Sequence, residues 1–155
     1  SNWPGPDTPY SPSKCLASEV VRYYGRNSAL PAVIVRPFNV YGPLENRGRL
    51  VASLVRHGLL GIPLDLSRAR QHRDFVYIDD VVKGLIRSAE NPNALGHEAD
   101  LGTGVPLTVQ DVAHIAMEEL PRLRVNIGAV PDKPTDQGPL VANTEHTREI
   151  LGWNP

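Results

Sequence analysis

Tyr10 and Lys14 stand one helical turn apart in the run Tyr10-Ser11-Pro12-Ser13-Lys14, so a phenol and an ammonium share one face if the segment is helical. Pro12 fits the first turn of such a helix, where its missing N–H costs little. A free tyrosine titrates near pH 10, and a cation close by favours the phenolate, so Lys14 can draw Tyr10 toward a general base that works near neutrality. The same spacing is also common on helix surfaces, so the pair takes its meaning from context. Asn39 is a single amide within the turn-rich stretch Pro37 to Pro43, either a turn former or a ligand contact. Arg73, ahead of Asp74 and Phe75, offers a planar, permanently charged fork suited to phosphate, or a solvated charge like Arg68 and Arg70 nearby. Arg49 precedes the apolar segment from Leu50, where a helix would present free N–H groups to an anion.

The elements that must position these residues alternate between helix and strand. Leu16, Val20, Val21, Tyr23 and Tyr24 give the segment Lys14 to Tyr24 a wide apolar face, and Gly25 is expected to close that helix. Ala32 to Val35 is an unbroken, largely β-branched run, as expected of a parallel strand buried on both faces, with a turn-rich loop at its carboxyl end. Ligands of open α/β sheets bind at such ends. The pattern then predicts a helix over Leu50 to Leu60 and a strand over Phe75 to Ile78. Asp79-Asp80 should cap a helix reaching about Ala89, followed by a strand over Glu98 to Leu101. Thr108 should cap a helix from Val109 to about Leu120, Arg124 to Ile127 reads as strand, and Thr144 opens a last helix ending at Gly152. This is α/β organisation throughout.

With 155 residues, 41% hydrophobic and 21% charged, the chain is long enough for one domain with a real core. A net charge of −1 with scattered Lys and Arg gives no electrostatic footprint for nucleic acid or an anionic membrane surface. No apolar run approaches the roughly 20 residues of a membrane span, and the single Cys15 closes no intrachain disulfide, so a reducing cytoplasmic compartment is expected. The histidines at 57, 72, 97, 114 and 146 are dispersed, with no His-x-x-x-His pair, and no metal is assigned. Cys15 lies about 100° around a helix from Lys14 and reads as a small buried packing residue; Met117 and Trp153 read as core and helix-end packing.

Taken in order, Tyr10-x-x-x-Lys14, Arg36-Pro37-Phe38-Asn39-Val40-Tyr41-Gly42-Pro43, Arg73-Asp74-Phe75-Val76-Tyr77-Ile78-Asp79-Asp80, Leu101-Gly102-Thr103-Gly104 and Arg148-Glu149-Ile150-Leu151-Gly152-Trp153-Asn154-Pro155 closely resemble the NAD-dependent epimerase/dehydratase family of extended short-chain dehydrogenases/reductases. The resemblance spans essentially the whole chain. It implies that Tyr10 removes a sugar hydroxyl proton as hydride passes to NAD or NADP, that Lys14 holds the nicotinamide ribose, and that the Pro37 backbone lies near the nicotinamide. It further implies that Asn39 and Arg73 reach the phosphates of a UDP- or dTDP-sugar, and that Asp136 accepts hydrogen bonds from the nucleotide ribose. Lys133 stands where the family has Arg and Thr135 where it has Gly, and a lysine neutralises phosphate as a point charge without the bidentate fork.

The resemblance also implies what is missing. The Gly-rich dinucleotide turn belongs upstream of Tyr10, where only Gly5 is found. Residues 1–155 are therefore expected to be a single C-terminal fragment that joins the last strands and helices of a Rossmann-type doubly wound sheet to the smaller substrate-binding region. The N-terminal dinucleotide-binding half would be absent, and turnover by the chain alone is not expected. Such a piece should bind UDP or dTDP in preference to NAD. It should also associate through Leu16, Val20 and Tyr24, as a homodimer or with its missing half. A non-catalytic nucleotide-sugar-binding or scaffolding module is the alternative.

Overall fold

The structure is a computed structural model that describes residues 9–28, 30–132 and 138–155. Among the described residues five α-helices and eight short strands follow one another: α1 (Tyr10–Ser28), β1 (Ile34–Pro37), β2 (Asn39–Tyr41), α2 (Leu50–Leu60), β3 (Leu64–Leu66), β4 (His72–Arg73), β5 (Phe75–Tyr77), α3 (Ile78–Glu90), β6 (Glu98–Leu101), β7 (Leu107–Thr108), α4 (Val109–Glu119), β8 (Val125–Ile127) and α5 (Thr144–Leu151). The helices and β1, β5, β6 and β8 fall where the periodicity predicts, whereas β3, β4 and β7 are additional and β2 lies in the stretch expected to be a loop. The strands pair two by two among the described residues. Three pairs are parallel, β1 with β6, β2 with β5 and β3 with β8, and β4 with β7 is antiparallel.

Two apolar clusters hold these pairs. Around β1, β5 and β6, the buried Val76, Val81, Ala99, Leu101, Leu151 and Trp153 pack with Val33, Val35 and Val40. Trp153 also donates its indole N–H to the Asp80 carbonyl at 2.9 Å, so the end of the chain is fastened to the start of α3. Gly152 makes this return possible: at φ 57° it closes α5 in the left-handed conformation that glycine adopts without cost. The second cluster joins α2 to α4 and the β3–β8 pair through buried Leu54, Ala113 and Leu123. Gly58 brings the two helices close, since a β-carbon there would lie 2.8 Å from Leu120 Cδ1.

Several boundaries differ from expectation for local reasons. α1 begins at Tyr10 and runs through Gly25 to Ser28, so the glycine does not close it; a glycine inside a helix costs about 1 kcal/mol, which the surrounding turns absorb. Tyr77 precedes α3, and Asp79 and Asp80 fall in its first turn, where acidic groups complement the helix dipole. Asn143 caps α5 by accepting the Glu145 N–H, one residue earlier than expected. β1 is half-buried at Ile34 and Val35 and exposed at Arg36 and Pro37, so it is not buried on both faces. Cys15 is exposed, not a packing residue. No described helix is long and apolar enough to cross a membrane.

Candidate functional site

Three of the residues singled out in the sequence line one cleft of about 310 Å³: Asn39, Arg49 and Arg73. Their convergence follows from strand pairing. In the parallel β2–β5 pair Asn39 lies opposite Phe75, and in the β4–β7 pair Arg73 lies opposite Leu107. Side chains alternate along an extended chain, so Arg73 and Phe75 share one side and Asp74 takes the other. Arg73 and Phe75 line the cleft, while Asp74 is fully buried.

The cleft is polar on both walls. Asn39 donates its side-chain N–H to the Asp74 carbonyl at 3.1 Å, which leaves its second N–H and its oxygen for other partners. Arg73 donates through one terminal nitrogen to the His72 carbonyl at 2.8 Å and the Gly138 carbonyl at 3.2 Å, which orients its fork. Arg49 precedes α2 in extended conformation without a side-chain cap, and lies 3.6 Å from the Glu45 carboxylate. That carboxylate also accepts the Ala52 N–H at 3.3 Å. One of the helix N–H groups expected to face an anion is therefore satisfied by Glu45, a cleft-lining acid that the sequence reading passed over. Its distance in sequence, seven residues before Ala52, hid it.

Tyr10 and Lys14 form a separate pair on α1. The Lys14 ammonium sits 5.3 Å from the centroid of the Tyr10 ring, a cation held against the phenol as the helical spacing requires. Tyr10 is 69% exposed. Neither residue lines the cleft that holds Asn39 and Arg73, and Pro37, exposed at the end of β1, does not line it either. Lys133 and Asp136 lie outside the described residues, as does Thr135.

Asp74 is the polar centre that sequence reasoning missed. Its Oδ1 accepts the Thr103 N–H at 2.8 Å and the Thr103 hydroxyl at 2.7 Å; its Oδ2 accepts the Gly104 N–H at 2.8 Å and the Ala142 N–H at 3.1 Å. Four donors for one buried carboxylate satisfy the demand that a buried charge be fully hydrogen-bonded. Gly102 leaves the room, because a β-carbon there would lie 2.5 Å from Oδ2. The signal was present as the Gly102-Thr103-Gly104 run, which was read only as a motif.

Comparison with known proteins supplies the family. The profile of the NAD dependent epimerase/dehydratase family matches residues 1–102. The chain is 27% identical over 157 residues to dTDP-glucose 4,6-dehydratase 1 of Escherichia coli, covering 97% of this chain and 44% of that protein. It is 31% identical over 149 residues to UDP-glucuronic acid decarboxylase 3 of Arabidopsis thaliana, covering 94% of this chain and 43% of the relative. The UDP-glucuronic acid 4-epimerase of Bacillus cereus, solved with UDP-glucuronic acid and NAD, superposes with a TM-score of 0.82 at 27% identity, over 99% of this chain and 49% of that one. The chain thus spans somewhat less than half the length of the relatives it matches. With its α/β alternation and a family match that extends over well more than half of its residues, the chain belongs to the NAD dependent epimerase/dehydratase family.

Proposed function

We propose that this chain is the substrate side of an NAD- or NADP-dependent nucleotide-sugar epimerase, dehydratase or decarboxylase, and that the cleft between α2 and the β4–β5 turn binds the diphosphate of a UDP- or dTDP-sugar. The observation that carries the reading is the convergence of Asn39, Arg49 and Arg73 on one cleft. A guanidinium whose fork is oriented by two carbonyls is suited to a diphosphate, and the Asn39 amide keeps one N–H for a phosphate oxygen. Lys133 and Asp136 complete the proposed set, the first as a point charge on phosphate and the second as an acceptor for ribose hydroxyls.

The chemistry is assigned to Tyr10 and Lys14. The nearby ammonium fits a phenol that takes up a proton from a sugar hydroxyl, and the pair is exposed, open to a nicotinamide ribose; the Pro37 backbone is assigned to the nicotinamide on the resemblance alone. The bound dinucleotide would supply a hydride acceptor. Lys14 would then hold the ribose beside Tyr10. In this reading the isolated chain binds nucleotide-sugar without turning it over. It resides in the cytoplasm and associates through the exposed Leu16, Val20 and Tyr24 of α1, as a homodimer or with the rest of a longer parent.

A second reading, a nucleotide-sugar-binding module without catalysis, is favoured by one observation: Tyr10 and Lys14 lie outside the cleft that holds Asn39 and Arg73. Calorimetric titration with UDP-glucose, dTDP-glucose and NAD tests the shared claim. Heat is expected with a nucleotide-sugar and not with NAD, and Arg73→Ala should abolish it. Heat from NAD alone, or nucleotide-sugar binding that survives the substitution, would contradict the assignment. Restoring the parent's remaining length and assaying sugar oxidation with Tyr10→Phe then separates enzyme from module.

A further inference from the structure

Asp74 sits on the side of the chain opposite the cleft, yet the wall that carries Asn39 and Arg73 hangs from it. Its carbonyl accepts the Asn39 N–H at 3.0 Å and the Asn39 side-chain amide at 3.1 Å. Its own N–H donates to the Leu140 carbonyl at 3.0 Å. Its carboxylate holds the turn at Thr103 and Gly104 together with the Ala142 N–H, all within 3.1 Å. We infer that Asp74 is a positioning residue for the nucleotide-sugar cleft: by anchoring inward it turns Arg73 outward, holds the Asn39 amide, and latches the strand-like segment from Gly138 to Ala142 along Arg73. This rests on the cleft reading proposed above.

The physical reason is register. In extended chain a side chain fixed inward obliges its neighbours to point outward, and a slip by one residue would exchange the two sets. A carboxylate that accepts four hydrogen bonds is well suited to that job, because its lone pairs are used and no neutral side chain offers four acceptor sites. Latching is the second effect. Leu140 bridges to Arg73, and the Arg73 guanidinium reaches the Gly138 carbonyl, so the segment that Asp74 holds through Ala142 also orients the fork.

Two variants of the full chain test this. Asp74→Asn puts an amide N–H₂ where a carboxylate oxygen faces the backbone N–H groups of Thr103, Gly104 and Ala142. Thr103→Val removes the hydroxyl that donates to Asp74 and accepts the Val105 N–H while keeping the side-chain shape, the milder change should Asp74→Asn fail to fold. Binding of UDP and of uridine is measured for each, alone and combined with Arg73→Ala. The expected result is at least a tenfold loss of UDP affinity for Asp74→Asn, a smaller loss for Thr103→Val, uridine affinity changed less than threefold, and no further loss when either change is added to Arg73→Ala. Folded variants that keep UDP affinity within twofold, or losses that add fully to that of Arg73→Ala, would overturn the inference. A second readout is independent of ligand: the Arg73 Nε–H and Asn39 side-chain amide resonances should shift and broaden in both variants. If the parent chain binds no UDP, the cleft reading fails on its own, and those resonances alone decide: their movement supports positioning by Asp74, and unchanged resonances refute it.

Discussion

At the scale of single residues, the proposed diphosphate cleft is a balance between Arg73 and Arg49 on one side and Glu45 on the other. The Glu45 carboxylate is only 12% exposed and lies 3.6 Å from Arg49, so it competes with any bound anion for that guanidinium. It also occupies the first turn of α2, through the Ala52 N–H. Glu45→Gln removes the competing charge and keeps the shape. It should tighten UDP binding several-fold at low ionic strength, and the gain should shrink in 1 M salt, where screening falls to a length of about 3 Å. Weaker binding in Glu45→Gln would mean that the carboxylate serves the ligand by holding Arg49 in place. Sequence reading reached Asn39 and Arg73 because each carries a distinctive chemistry at a motif position, and Arg49 because a charge at the start of a helix can meet an anion. It passed over Glu45, whose carboxylate serves an N–H seven residues on across a turn, and Asp74, whose partners lie 29 to 68 residues away and meet it only in the folded chain.

Among the elements, α4 shows how local chemistry fixes a boundary. Thr108 accepts the Asp111 N–H at 3.0 Å, while the Asp111 carboxylate takes the Thr108 N–H at 2.8 Å and its hydroxyl at 2.6 Å. This reciprocal cap is what the sequence promised at Thr108. The Thr108 hydroxyl and then its N–H hold the Asp111 carboxyl below its ordinary titration range, with smaller help from the charges of His114 and His72. A depressed pKa in the folded state stabilises at pH values above the unfolded carboxylate's, and that stabilisation is lost as pH falls through the folded value. Thr108→Ala removes a helix N-cap, a change that costs about 1 kcal/mol in urea unfolding at pH 7, and because the cap also holds Asp111 ionised the gap should narrow below about pH 4. A gap that widens in acid would contradict the cap. Helices with such signals were legible to within a residue or two. The short strands β2, β3, β4 and β7 were not, because two or three residues carry no measurable periodicity and exist only through their partners.

Over the whole molecule, α1 is the element least bound to the rest. None of its residues is buried, and a cleft of about 440 Å³ opens between its C-terminal half and the β1–β6 pair. What reaches across is charge: Arg22 pairs with Glu19 and with Glu98 on β6, and Glu98 pairs in turn with Arg36, which also meets Asp100. Partly exposed ion pairs are weak and screened by salt. Amide exchange in α1 should therefore be faster than in α3, which buries Val81 and Gly84, and should rise further in 1 M salt; α1 amides as slow as those of α3 would contradict this. The exposed Leu16, Val20, Tyr23 and Tyr24 belong to the apolar face that the periodicity predicted, and only the Tyr23 and Tyr24 rings meet, edge to face at 5.6 Å between centroids. The periodicity marked that face correctly but could not say what covers it, since the answer depends on groups beyond the helix itself. A nucleotide diphosphate held at Asn39, Arg49 and Arg73 meets a cleft that α1 does not line. The most direct test is amide exchange across the full chain with and without saturating UDP. Slowing confined to residues 39–50, 71–75 and 138–142, with α1 unchanged, is the predicted result; slowing centred on α1, or none at concentrations where UDP binds, would contradict it.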